Sequence, residues 1–148
     1  MNRDLLIATL EQEEGNKPLL YDDKTAKLLK AGDTIVGNPT WGIGWNVSGK
    51  KLSPERARIM CGWCVDDSWG ELQALYPWVI QLSEPRQRAM TDLFFQLGDE
   101  KFPKFNVFLS LMEQGQYDQA ATDLEGTAWW KQVGQRGPKI QALIRGIQ

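Results

Sequence analysis

In Thr40-Trp41-Gly42-Ile43-Gly44-Trp45-Asn46-Val47-Ser48-Gly49-Lys50-Lys51-Leu52-Ser53-Pro54-Glu55 the chain changes from a sheet pattern to a helix pattern. As a strand, Thr40 to Trp45 alternates: Thr40, Gly42 and Gly44 make a nearly bare face carrying one hydroxyl, and Trp41, Ile43 and Trp45 point the other way. Glycines in such a place mark close approach of a ligand or backbone, or else a bulge beside a packed Trp pair. At Leu52-Ser53-Pro54-Glu55 the helix-start signals coincide, with Ser53 as N-cap, Pro54 at the first helical position and Glu55 in the first turn. Ala57, Met60, Cys61 and Cys64 follow at i, i+3, i+4 and i+7, a single apolar stripe, so a long helix begins here.

Toward the N-terminus, Pro18, Gly32, Gly37, Pro39, Gly42 and Gly44 punctuate the short runs Leu28-Leu29, Thr34-Ile35-Val36 and Thr40-Trp41-Gly42-Ile43, which read as a small antiparallel sheet. Ahead of it, Asn2 caps a first helix with Leu6, Ile7, Leu10 and Glu14 on one side, and Gly15 ends it. Toward the C-terminus the first long helix, or a second after it, runs through Trp69, Leu72 and Leu75 to Pro77. Helical spacing then covers Pro85 to Leu97, Pro103 to Gln114, Tyr117 to Glu125 and Pro138 to Ile147, the first three closed by Gly98, Gly115 and Gly126. The expected fold is α+β: an N-terminal helix, a small antiparallel sheet and a larger all-helical C-terminal lobe joined by the long helix. One domain over 1–148 is expected, with an N-terminal lobe at about 14–52 and a helical lobe at about 53–148 that includes the first helix. A cleft between such unlike parts is a natural place for a site.

Composition narrows the chemistry. The 148 residues include two Cys, seven Trp and no His, which excludes Ser-His-Asp and Cys-His systems and any metal site with His ligands. Acid/base work near neutral pH is left to carboxylates, Lys, Tyr or Cys. Seventeen Lys plus Arg against 19 Asp plus Glu give a net charge of −2, which argues against a surface built to wrap nucleic acid. The distribution is uneven: Asp4, Glu11, Glu13, Glu14, Asp22 and Asp23 crowd the start, whereas after Glu125 only the cations Lys131, Arg136, Lys139 and Arg145 occur. That basic end reads either as a solvated helix face or as an attraction for anionic polymers. Charge interrupts the apolar positions of the first residues, so no signal peptide is expected, and no stretch approaches membrane-spanning length. Cys61 and Cys64 have redox spacing but lie on the helical stripe, which favours core packing, and they cannot complete a zinc site. Trp63, Trp69, Trp78, Trp129 and Trp130 read as core filling, and Trp41 or Trp45 as possible sugar platforms.

Glu14 is the first candidate for chemistry. On the apolar side of its helix and at the negative end of the helix dipole, its carboxylate form is disfavoured, which suits a general acid. It also reads as one of three glutamates on a solvated helix end. Nine residues on, Asp22-Asp23 enters the sheet region, and a chain turning back after Gly15 can bring one of the pair opposite Glu14. By alternation Tyr21 and Asp23 share a face and Asp22 points away, and Asp22 alone reads as a turn residue. Two carboxylates, one protonated and one ionised, are the minimal equipment for hydrolysing a glycosidic bond.

Glu14-Gly15, Tyr21, Asp23 at plus nine and Thr40-Trp41-Gly42-Ile43-Gly44 together resemble the phage-type lysozymes of glycoside hydrolase family 24. The similarity continues through Asn46, Leu52-Ser53, Arg86-Gln87-Arg88-Ala89, Phe95-Gln96-Leu97-Gly98, Phe105, Ala120-Ala121 with Leu124, and Trp129 to Arg136. It implies a lysozyme-like fold and cleavage of the β-1,4 bond between N-acetylmuramic acid and N-acetylglucosamine in bacterial peptidoglycan. Glu14 would be the general acid, Asp23 the carboxylate that activates water and stabilises oxocarbenium charge, and Thr40 the holder of that water. Inversion would need carboxyl groups roughly 6.5 to 9.5 Å apart. Gly44, Asn46, Phe95 and Gln96 would line the sugar cleft, and Arg136 would stand near the acid.

The resemblance further implies an endolysin of a bacteriophage or prophage, acting as a monomer without cofactor or metal. It would be held in the host cytoplasm until a holin gives access to the periplasm and cell wall, with no stable insertion in the membrane and no nucleic-acid partner. The chain departs from the family in three places. The step of 17 residues from Asp23 to Thr40 is longer than in the best-known members, Trp45 stands where many carry His or Arg, and Cys64 stands where they carry an acid. A lytic transglycosylase, which needs the acid but no water-activating aspartate, and a silent wall-binding or virion domain are the competing readings.

Overall fold

The first helix, α1 (Arg3–Glu14), starts where the Leu5 N–H donates to Asn2 Oδ1 at 3.0 Å, and ends at Gly15, whose φ of 72° takes the chain out of the helix. This is the capping that Asn2 and Gly15 predict. In the computed structural model, which describes residues 1–147, α1 belongs to the first of two compact units, Met1–Ala57; the second begins at Arg58. The expected apolar stripe does not become a core face: α1 buries none of its residues, and Leu6 and Leu10 stay 44% and 43% exposed.

Three antiparallel strands follow in the order β1-β2-β3: β1 (Lys17–Asp22), β2 (Pro39–Gly42) and β3 (Trp45–Asn46). Tyr21 pairs with Thr40, Asp22 with Pro39, Thr40 with Asn46 and Trp41 with Trp45. The small sheet is therefore present, but the run Thr40 to Trp45 is not one strand. The chain reverses over Gly42-Ile43-Gly44, where both glycines are left-handed at φ 56° and 61°. Trp41 and Trp45 consequently lie side by side across the hairpin, and the bare alternating face does not exist. Alternation cannot separate a strand from a tight hairpin when two glycines supply the turn. Of the other expected runs, Leu28 makes an isolated bridge to Tyr21, and Thr34-Ile35-Val36 is not a strand.

The helix α2 (Pro54–Leu75) begins as its signals predict, with the Arg56 N–H on Ser53 Oγ at 3.3 Å, and crosses from the first unit into the second. Its only buried residue is Leu72. Cys61 and Cys64 are free and exposed, and Trp63 is 63% exposed, so the expected packing of these three in a core is corrected. A stripe shows which side of a helix would be buried, not that anything covers it.

The second unit continues with α3 (Glu84–Lys101), α4 (Asn106–Glu113), α5 (Tyr117–Asp123), α6 (Ala128–Val133) and α7 (Arg136–Arg145). Short 3-10 turns occupy Pro77–Gln81, Phe102–Lys104 and Leu124–Gly126. Met90, Leu93 and Phe94 of α3, Phe108 and Met112 of α4, Ala120 and Ala121 of α5 and Ile140 and Ile144 of α7 form its core with Leu72, Phe102 and Leu124. Phe94 meets Phe102 edge to face at 5.2 Å. Gly98, at φ 70° and ψ 174°, is not helical, so the first part of α3 ends there as expected and a short second helical piece continues across a kink to Lys101. Spacing does not reveal α6, whose N-cap is Thr127, its Oγ1 accepting from the Trp130 N–H at 3.1 Å. Trp129 is buried, and Trp69, Trp78 and Trp130 pack on the core as expected. Ile147 is exposed because Gly146 at φ 84° ends α7 before it. The molecule is α+β, with the sheet in one unit and most helices in the other. Among the described residues no helix is long and apolar enough to cross a membrane.

Candidate active site

The first unit carries Glu14, Asp22, Asp23, Thr40, Gly44 and Asn46. Asp22 closes β1 and is buried, 1% exposed. Its Oδ1 accepts the N–H groups of Lys24 and Thr25 at 3.0 and 3.1 Å, its Oδ2 that of Val36 at 2.6 Å, and the Gly37 N–H lies within 3.2 Å of both oxygens. The Gly37 N–H holds this carboxyl down most, burial opposes it, and the Val36, Thr25 and Lys24 N–H groups reinforce it, leaving it at about 2. Asp22 is thus an ionised clamp that fastens both ends of the long 23–38 loop, in keeping with its turn-residue reading. Gly37 permits this: a Cβ there would stand 2.9 Å from Asp22 Oδ1 and overlap Asp23 Oδ1.

Asp23 does not share a strand face with Tyr21. Tyr21 and Asp22 are both buried, β1 stops at Asp22, and Asp23 lies exposed in the turn. Its two oxygens are taken by one residue, Oδ1 by the Asn38 N–H at 2.6 Å and Oδ2 by Asn38 Nδ2 at 2.9 Å, while the Asp23 N–H donates to the Asn38 carbonyl at 3.0 Å. The Asn38 backbone N–H and then its side-chain amide lower the Asp23 carboxyl below its ordinary value, against partial desolvation and the charge of Asp22. An aspartate so held is ionised at neutral pH. Thr40 is buried on β2, 4% exposed, and its hydroxyl donates to the same Asn38 carbonyl at 3.3 Å. Asn38 therefore joins Asp23 to Thr40. Sequence reasoning did not single it out; the available signal was an Asn before Pro39 in a glycine-punctuated loop.

Glu14 is the last residue of α1 and is exposed, so the expected desolvation on an apolar helix side is corrected: that side of α1 is uncovered. Its side chain lies against Gly44, where a Cβ would come within 3.0 Å of Oε2 and 3.1 Å of Cδ. The close approach that Gly44 permits is thus to Glu14 itself. Asn46 Oδ1 accepts from the Ser48 N–H, the Ser48 hydroxyl and the Gly49 N–H at 3.0, 2.8 and 2.9 Å, so its carbonyl oxygen is committed to a turn and only its amide nitrogen is left for a ligand. Trp45 carries the cations of Lys50 and Arg56 over its ring at 5.6 and 5.5 Å.

In the second unit Gln96, Arg136 and Trp129 form a chain through a residue that sequence reasoning missed. Trp129 Nε1 donates to Gln96 Oε1 at 3.2 Å, Gln96 Nε2 donates to Asp92 Oδ1 at 2.8 Å, and the Arg136 guanidinium is bound to that same Asp92 oxygen. The i, i+4 spacing of Asp92 and Gln96 on α3 was the available signal. Gln96 and Trp129 border an open depression of about 890 Å³ with Lys101, Lys104 and Phe105. Phe95, 45% exposed, borders another of about 830 Å³ with Asp92, Arg136 and Lys139. Among the described residues no group of three or more His, Cys, Asp and Glu side chains is placed to hold a metal ion.

No protein-family model matches the chain, and no curated protein sequence matches it either.

Proposed function

We propose that this chain has a lysozyme-like fold and is a peptidoglycan hydrolase of the phage-type lysozyme kind, cleaving the β-1,4 bond from N-acetylmuramic acid to N-acetylglucosamine. The observation that supports it most lies in the first unit: Asp23 is ionised and tied through Asn38 to the Thr40 hydroxyl, while the Glu14 side chain rests against the bare backbone of Gly44. These are the three residues to which the family resemblance assigns acid, base and water holder.

In this reading Glu14 protonates the glycosidic oxygen as the bond to the anomeric carbon breaks. Asp23 takes a proton from a water held also by Thr40, and the water oxygen bonds to the anomeric carbon from the opposite face, with inversion. Glu14 is exposed in the free protein, so the exclusion of water that favours proton transfer is supplied by the sugar chain covering it. Asp23 and Thr40 favour hydrolysis over a lytic transglycosylase, which needs no activated water. The proposed setting is lysis of a bacterial host by a phage endolysin that reaches the wall with the help of a holin, with Phe95, Gln96, Asn46 and Gly44 contributing to sugar binding. Outer-membrane-permeabilised bacteria should lose turbidity with the wild-type protein and not with folded Glu14→Gln; substantial lysis by the pure variant contradicts the role of Glu14.

A further inference from the structure

We propose that Asn38 is the positioning residue of the hydrolytic half of this site, holding the Asp23 carboxylate in one orientation and fixing, through its carbonyl, which way the Thr40 hydroxyl points. The inference rests on the glycosidase reading and deepens it. Both Asp23 oxygens are gripped by donors of Asn38, at 2.6 and 2.9 Å, so the carboxylate cannot rotate without breaking a charge-assisted hydrogen bond. The reciprocal bond from the Asp23 N–H to the Asn38 carbonyl, 3.0 Å, ties the two backbones across the mouth of the 23–38 loop. Pro39 adds to this, since it keeps the preceding residue extended and brings no N–H to compete for the same acceptors.

The Thr40 bond has a chemical consequence. With its proton given to the Asn38 carbonyl at 3.3 Å, the hydroxyl presents only lone pairs. A water between Asp23 and Thr40 must then donate one hydrogen to each, and its own lone pair is left pointing away from both. That is the orientation in which its oxygen attacks the anomeric carbon, passing one proton to Asp23 while Glu14 gives its proton to the departing sugar oxygen. Asn38 thus acts through Asp23 and Thr40 without touching the sugar. The charged groups beside Asp23 are its chain neighbours Asp22 and Lys24; the facing segment Val36-Gly37-Asn38 contributes only amides.

A turn residue and a positioning residue are separated by Asn38→Asp, which keeps size and turn preference but replaces the donor facing Asp23 with an acceptor. The acidic limb of kcat/KM on solubilised peptidoglycan, which reports ionisation in the free enzyme, should move up by about one pH unit. Asn38→Ala keeps the backbone donor and acceptor, so its limb should move less, while kcat falls about tenfold with KM little changed. Thermal unfolding of each variant verifies folding, and carbon-13 titration of the Asp23 carboxyl reads the same shift if Asn38→Asp is too unstable for kinetics. Lysis by the wild-type protein together with an unmoved acidic limb and an unmoved Asp23 titration in Asn38→Asp would overturn the proposal alone. Failure of the wild-type protein to release any sugar would instead remove the glycosidase reading, and this role with it.

Discussion

Asp22 and Asp23 are adjacent and chemically identical, yet the backbone gives them different work. Asp22 turns inward onto four N–H groups, and Asp23 stays at the surface in the grip of Asn38. The Asp22 carboxyl sits at about 2, below the ordinary 3.8, so its contribution to stability is complete above about pH 4 and is lost as pH falls toward 2. Asp22→Asn should therefore melt at lower temperature than wild type at pH 6, with the gap closing near pH 2; a gap independent of pH would contradict the clamp. Sequence separates the pair by the turn preference of Asp22, by the family resemblance and by strand alternation, and the last fails because β1 ends at Asp22. Family spacing is what proposes roles for Glu14, Asp23 and Thr40. It proposes none for Asn38 and Asp92, whose contacts to Asp23 and Arg136 join residues distant in sequence.

At the scale of elements, termini were easier to read than coverage. Asn2, Gly15, Ser53 and Pro54 mark helix ends by local chemistry, and the structure places the ends of α1 and the start of α2 there. Whether a stripe is buried depends on what lies opposite, which is why Cys61, Cys64 and Trp63 were misassigned. The β2-β3 hairpin offers a direct comparison. Gly42 and Gly44 are both left-handed, and an alanine at either should cost roughly 1–2 kcal/mol of stability. Only at Gly44 does the added methyl meet Glu14, while nothing lies within 4 Å of the corresponding position at Gly42. Gly44→Ala should lose lysis about tenfold beyond its stability loss, and Gly42→Ala should not; equal activities would show that the contact between Gly44 and Glu14 has no part in the reaction.

For the whole molecule, burial is concentrated in the second unit, where Phe94, Phe102, Phe108, Leu72 and Ile144 are almost inaccessible, whereas α1 buries nothing. Phe94→Ala should destabilise by about 3–5 kcal/mol, and Leu6→Ala by little. Hydrogen exchange should be slowest for the amides of α3 and α7 and fast throughout α1; strong protection of α1 would contradict the exposure of its stripe. Helical periodicity made this core legible, from Ala89 to Phe94 and from Ile140 to Ile144, because in both helices the other elements of the unit cover the stripe. The absence of His excludes mechanisms that need imidazole, and the proposed site uses two carboxylates, one hydroxyl and one amide instead. The central claim is hydrolysis by Glu14 and Asp23, and mass spectrometry of the fragments released from purified peptidoglycan tests it most directly. The account predicts muropeptides with reducing N-acetylmuramic acid ends from the wild-type protein and none from Glu14→Gln; anhydro ends, or no release by the wild-type protein, would contradict it.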